Sequence, residues 1–109
     1  FIVIGAVWQS QKAYFLKIKE MVQHLKIENI DFIGQVDDVR PYLSNFDLYL
    51  CTSTFESSPI AIWEAMSMEC AIVSTDVGDV SLLIESNISG EIVGVGDIND
   101  MVRLEVQSV

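Results

Sequence analysis

Apolar residues along the chain fall into short unbroken runs that alternate with longer stretches of helical periodicity. Phe1–Ile4 is such a run, closed by Gly5, and predicts a buried strand. From about Gln9 to Lys26, the residues Tyr14, Phe15, Ile18, Met21, Val22 and Leu25 recur at three- and four-residue steps with the lysines largely off their face, predicting an amphipathic helix. Ile30–Ile33, closed by Gly34, predicts a second strand. A short helix through Asn45 follows, with Asp37 or Asp38 as its cap and Pro41 tolerated only in its first turn. Phe46–Thr52 reads as a third strand and Pro59–Met68 as a helix capped by Ser57 or Ser58. Ala71–Thr75 is a fourth strand, Val80–Glu85 a short helix and Glu91–Val95 a fifth strand; Asp97 or Asn99 starts a last helix.

Strands alternate with helices, and the strands are apolar throughout instead of alternating. That combination implies a parallel sheet covered on both faces, a Rossmann-like three-layer α/β/α unit of about five strands. The expected organisation is a single domain over residues 1–109, since the length allows one domain at most. Half of the residues are apolar, enough for a packed core. No apolar run approaches the ~20 residues of a membrane span, and no secretory signal is recognisable. The chain opens inside an apolar run without Met, which suggests a piece of a longer one.

Charge narrows the partners. The net charge is −10, and it is uneven: Lys12, Lys17, Lys19 and Lys26 outnumber Glu20 at the start, whereas Arg40 and Arg103 face all the remaining acids. Nucleic acid and anionic membranes want clustered Lys and Arg, so neither is an expected partner. Cys51 and Cys70 sit inside apolar runs and read as buried reduced thiols of a cytoplasmic protein, not as a disulfide framework or a metal site. His24, the single His, is expected on the solvated side of its helix, and no metal or cofactor is expected.

In parallel sheets, ligands bind beyond the carboxyl ends of the strands, which directs attention to the loops Gly5–Ser10, Gly34–Asp38, Thr52–Pro59 and Asp76–Val80. One segment dominates: Phe55-Glu56-Ser57-Ser58-Pro59-Ile60-Ala61-Ile62-Trp63-Glu64-Ala65-Met66. Glu56 lies in a loop after a strand, and Glu64 lies on an otherwise apolar helix, where burial is expected. A buried carboxylate needs hydrogen-bond donors, and a ribose diol would supply two. The helix start around Ser58–Ala61 offers unpaired N–H groups and a positive dipole end, a natural anion site. A diphosphate at the helix start, a ribose further along and a sugar at Glu56 together describe a nucleotide-sugar.

Two glutamates separated by seven residues, the second in Glu64-Ala65-Met66, resemble the signature of group 1 retaining glycosyltransferases. The resemblance continues through Ile72–Gly78 and Ser89–Val93, and upstream through Phe32–Gly34 and Tyr42–Leu48, covering nearly the whole chain. It implies the C-terminal half of a GT-B fold, truncated at its start. It also implies a donor site in which Glu56 contacts the sugar as the catalytic-site residue. The amides near Ser58, Ile60 and Ala61 would hold the diphosphate, to which the hydroxyls of Ser57 and Ser58 could add donors, and Glu64 would bind the ribose. The implied partners are a nucleoside-diphosphate-sugar donor and, through a separate domain, an acceptor sugar or lipid-linked acceptor. The implied activity is that of a metal-independent, hexosyltransferase-type enzyme.

The sequence also departs from the family pattern. Gly5-Ala6-Val7-Trp8 lacks a second glycine, Glu69 stands where a glycine often ends the motif helix, and Ala71 replaces a frequent proline. Asp79 replaces the second glycine of a pair, and Ser81-Leu82 a common Pro-Glu. Family members supply an Arg and a Lys to the diphosphate from before the strand that Phe1–Ile4 matches, so these residues alone are expected to bind donor weakly and not to transfer. Two alternatives keep the fold: a non-catalytic nucleotide-binding or regulatory module, and a flavodoxin-like signalling domain. The latter expects an aspartate where Cys51-Thr52 stands. Trp63 reads as core or domain interface, and Asn87-Ile88-Ser89 fits a glycosylation acceptor by chance.

Overall fold

A computed structural model describes residues 1–108. The elements run β1 (Ile2–Ile4), α1 (Lys12–His24), β2 (Asp31–Gly34), α2 (Arg40–Leu43), β3 (Leu48–Cys51), α3 (Ile60–Ser67), β4 (Ala71–Thr75), α4 (Val80–Leu83), β5 (Glu91–Val93) and α5 (Ile98–Ser108), with a 3-10 turn at Gln9–Gln11 before α1. This is an α/β fold of parallel strands alternating with helices. The strands pair as two ladders, β1-β2 and β3-β4-β5, instead of one continuous sheet. The chain correspondingly divides into two compact units, Phe1–Asp38 and Val39–Val109.

The first unit is one β-α-β crossover. Ile2 pairs with Asp31 and Val3 with Phe32, and an irregularity before Ile4 brings it opposite Gly34. Phe15 on α1 meets Phe32 on β2 edge to face, 5.4 Å between ring centroids. The ammonium of Lys19 stands 5.6 Å from the Phe15 ring centre and 5.8 Å from that of Phe32, a geometry in which the ring quadrupole attracts the cation. The helical face predicted from spacing is only partly covered: Phe15, Ile18 and Val22 are half-buried, while Tyr14, Met21 and Leu25 are exposed.

The second unit holds the buried core. Leu48 to Cys51 of β3 pair in unbroken register with Ala71 to Ser74 of β4, and Val73 to Thr75 pair with Glu91 to Val93 of β5. Ile72, Val73, Ser74 and Thr75 are buried in succession. Because successive strand side chains point to opposite faces, both faces of β4 are covered. Both α3 and α5 pack on β4. Ile62 and Ala65, each 0 % exposed, are the residues α3 buries, three apart on one side of the helix. Cys51 and Cys70 are buried free thiols, as expected. Burial pushes the Cys70 thiol up from its ordinary range, and its Sγ–H donates to Leu43 O at 3.2 Å, so it is protonated at neutral pH.

Helix caps depart from the sequence reading. The N-cap position of α2 is taken by Val39, whose own side chain makes no bond to the helix start. Pro59 occupies the N-cap of α3, also without a side-chain bond, so neither Ser57 nor Ser58 caps it. The last helix is capped as expected: Asp97 Oδ1 accepts from Asp100 N–H at 3.1 Å.

Candidate functional site

β3 and β4 run parallel, so the loops that leave their carboxyl ends, Thr52–Pro59 and Asp76–Asp79, emerge at the same end of the ladder. They are joined directly: Asp79 N–H donates to Ser57 O at 3.1 Å. Gly78 permits the approach. It adopts φ +55°, and a Cβ built on it would stand 2.6 Å from Ser57 C and 2.9 Å from Glu56 O, with Ser57 O closer still. The other two loops flagged by the sequence belong to the first unit, where Gly5 N–H donates to Gly34 O at 2.9 Å.

Glu56 is half-buried in its loop, and its Oε1 accepts a hydrogen bond from Ser53 Oγ at 2.9 Å. Ser57 and Ser58 are exposed. Ser58 Oγ accepts from the indole N–H of Trp63 at 3.1 Å, and the Trp63 ring packs against the core, which places it with the packing residues. Glu64 is not buried. It lies exposed, one turn beyond Ile60, on the open side of α3 with Ala61 and Ser67. The helix turns Ile62 and Ala65 inwards and leaves the apolar Ile60, 69 % exposed, outside. The carboxylate expected to be buried is therefore exposed on a helix face. Ile62 N–H is taken by Pro59 O at 2.9 Å, whereas the amides of Ile60 and Ala61 precede the first intrahelical bond and no side chain caps them. The six residues singled out by the sequence thus form one stretch of open surface, running from the Glu56 loop over the start of α3 to Glu64.

Three contributors carry no signal in the sequence pattern. Ser53 and Thr75 support the Glu56 loop: Thr75 Oγ1 donates to Ser53 O at 2.6 Å. Tyr49 of β3 is the third. Its phenol is pushed up to about 12 from an ordinary value of 10.0, by burial first and then by the charges of Cys51, Glu64, Glu56 and Cys70. Both glutamates of the segment therefore act on one phenol. A raised folded-state value means that stability is complete below the unfolded pKa and is lost as pH rises from 10 to about 12, because the unfolded chain releases its proton first. Denaturant melts across that window are expected to show a fall in wild-type stability that Tyr49→Phe lessens. Equal slopes in the two proteins would remove Tyr49 as the source.

The cations are few. Residues 39–109 carry Arg40 and Arg103 as their only Lys or Arg, and Arg103 is paired with Asp100 at 3.0 Å. Among the described residues, no group of three His, Cys, Asp or Glu comes together as a metal cage. Among the described residues, no helix is long and apolar enough to cross a membrane. A surface cavity of about 420 Å³ lies at the other end of the ladder, where Ala71 and Glu91 begin β4 and β5, and so plays no part at the Glu56 loop.

Residues 1–105 match the family described as glycosyl transferases group 1. The chain belongs to that family. It is 31 % identical over 94 residues to the N-acetyl-alpha-D-glucosaminyl L-malate synthase of Bacillus anthracis, covering 85 % of this chain and 25 % of that enzyme. It is 28 % identical over 103 residues to the lipopolysaccharide core biosynthesis mannosyltransferase LpcC of Rhizobium leguminosarum bv. viciae, covering 94 % of this chain and 29 % of that protein. Its fold superposes with a TM-score of 0.85 on Anabaena HepE in complex with UDP and glucose, at 23 % identity, over 98 % of this chain and 31 % of HepE. The fold is thus that of the C-terminal half of GT-B glycosyltransferases, and the chain spans between a quarter and a third of the length of these relatives.

Proposed function

We propose that this group 1 glycosyltransferase chain is a nucleotide-sugar-binding domain, and that the whole protein transfers a hexose from a nucleoside diphosphate to an acceptor hydroxyl with retention of the anomeric configuration. The observation that carries the reading is the single open face on which Ser57, Ser58, Ile60, Ala61 and Glu64 follow the half-buried Glu56. In this reading the donor lies along that face. The diphosphate sits at the uncapped amides of Ile60 and Ala61, where the helix dipole supplies roughly half a positive charge. The solvated carboxylate of Glu64, one turn on, accepts from the ribose diol, and Glu56 accepts from the sugar's hydroxyls. Transfer then breaks the bond between the anomeric carbon and the diphosphate oxygen and forms one to the acceptor oxygen, whose hydroxyl proton passes to the departing diphosphate. In this reading, residues 1–109 make one cytoplasmic donor domain, and an acceptor sugar or lipid-linked acceptor is bound elsewhere.

The second unit itself carries only Arg40 and Arg103 as Lys or Arg, so the helix end is its main compensation for a diphosphate, and the affinity is expected in the millimolar range, ~4 kcal/mol. One protein of similar fold, Anabaena HepE, was solved with UDP, with UDP and glucose, and with UDP-glucose, which makes UDP the first ligand to try. A two-dimensional NMR titration with UDP, GDP and ADP is expected to shift the amides of residues 57–64 for one of them. Shifts confined to other residues, or none with any of the three, would refute a donor site here.

A further inference from the structure

Glu56 has no helix or strand to set its side chain: residues 52–59 form an irregular loop. What holds the carboxylate is a relay of two hydroxyls from the rigid end of β4. Thr75, the last residue of that strand and 5 % exposed, donates its hydroxyl proton to Ser53 O at 2.6 Å. Cys51 O lies farther off at 3.4 Å, and since a hydroxyl has one proton, the shorter bond takes it. Ser53 in turn donates its own hydroxyl proton to Glu56 Oε1 at 2.9 Å. An ionised carboxylate accepts only, with about four lone-pair sites, so this bond leaves Oε2 and part of Oε1 open to a ligand's hydroxyls. Without it, a Glu side chain on a loop samples many rotamers, and ordering it on binding costs entropy.

We propose that Ser53 and Thr75 are positioning residues, which fix the Glu56 carboxylate in the orientation that receives the donor's sugar. The proposal rests on the donor-site reading of Glu56. It makes a sharp distinction. Glu56 is assigned to the sugar and not to the nucleotide, so loss of the relay must weaken sugar-nucleotides while sparing bare nucleotides. General loosening of the loop would weaken both.

The test is titration calorimetry of the protein with three pairs: UDP and UDP-glucose, GDP and GDP-mannose, ADP and ADP-glucose. For the pair in which the wild type prefers the sugar-nucleotide, Ser53→Ala is expected to cut that preference about tenfold or more, the effect of losing one orienting hydrogen bond to a charged group. Affinity for the bare nucleotide is expected to stay within about twofold. Thr75→Val, which removes the hydroxyl at nearly constant volume, is expected to act in the same direction. Ser53→Thr and Thr75→Ser keep the hydroxyls and are expected to restore the preference, which separates the relay from any loss of folding. Parallel losses for both members of the pair, or a preference unchanged in Ser53→Ala but abolished in Glu56→Ala, would overturn the positioning role and leave the donor site standing. A wild type that binds no nucleotide, or prefers no sugar-nucleotide over its nucleotide, would remove the donor role of Glu56 and this proposal with it.

Discussion

Gly78→Ala is expected to destabilise the second unit by about 3 kcal/mol, and to lower its melting temperature by more than ~10 °C. Two costs add. At φ +55° an alanine sits in the left-handed region, at about 1–2 kcal/mol. Its Cβ would also press on backbone, 2.6 Å from Ser57 C and 2.9 Å from Glu56 O, and backbone cannot swing aside as a flexible side chain does. The control is Gly96→Ala, at φ +83° with nothing within 4 Å of its Cβ, which carries the first cost without the second. Thermal melts of the two variants therefore separate conformation from close approach. Equal losses would mean that the contact with the Glu56 loop is worth nothing. Because that loop carries Glu56, Ser57 and Ser58, the alanine is also expected to move the amides of residues 56–58 in the ligand-free NMR spectrum, which Gly96→Ala leaves in place.

The alternation of apolar runs and helical periods made most of the fold legible, because β4 and its neighbours are covered on both faces and show it in their composition. Ala71–Thr75 has the bounds expected of it. Edges were less legible where hydrogen bonds outside the ladder decide them. Phe46 belongs to the turn after α2, its N–H donating to Leu43 O at 3.1 Å, so β3 starts at Leu48. Asp97 N–H closes a turn on Gly94 O at 3.0 Å and ends β5 at Val93.

The sequence singles out the candidate residues but not their environment. α3 carries apolar residues all round, so the sequence does not say that Ile62 and Ala65 point in while Ile60 and Glu64 point out. The Ser53–Thr75 relay was illegible because it joins residues 22 apart through a loop carbonyl. The departures from the family pattern gain a physical meaning here. Glu69 takes φ +62°, the left-handed conformation for which glycine is suited, and so carries backbone strain after α3. Asp79, at φ −94°, needs no glycine, and its N–H joins the two loops of the site.

Glu64→Ala is expected to weaken nucleotide binding tenfold to a hundredfold, the loss of hydrogen bonds to a charged acceptor worth about 1.5–3 kcal/mol. The exposure of Glu64 makes this a clean experiment. Replacing an exposed helix residue by alanine changes stability by about 0.5 kcal/mol at most, so a loss of affinity cannot be laid to misfolding. Glu56→Ala is the counterpart, expected to spare the bare nucleotide and to act on the sugar-nucleotide alone. In the whole protein, Glu64→Ala is accordingly expected to raise the KM for donor, and Glu56→Ala to lower kcat, since a group that orients the sugar acts where the anomeric bond breaks. The opposite assignment, with Glu56 governing the nucleotide and Glu64 the sugar, would reverse the direction in which the donor lies across the start of α3. Equal effects of both variants on both ligands would mean that two acids on one open face set only its charge. Salt separates that last case, because a purely electrostatic effect of either carboxylate fades within a screening length of about 8 Å at physiological ionic strength, whereas a lost hydrogen bond persists in high salt.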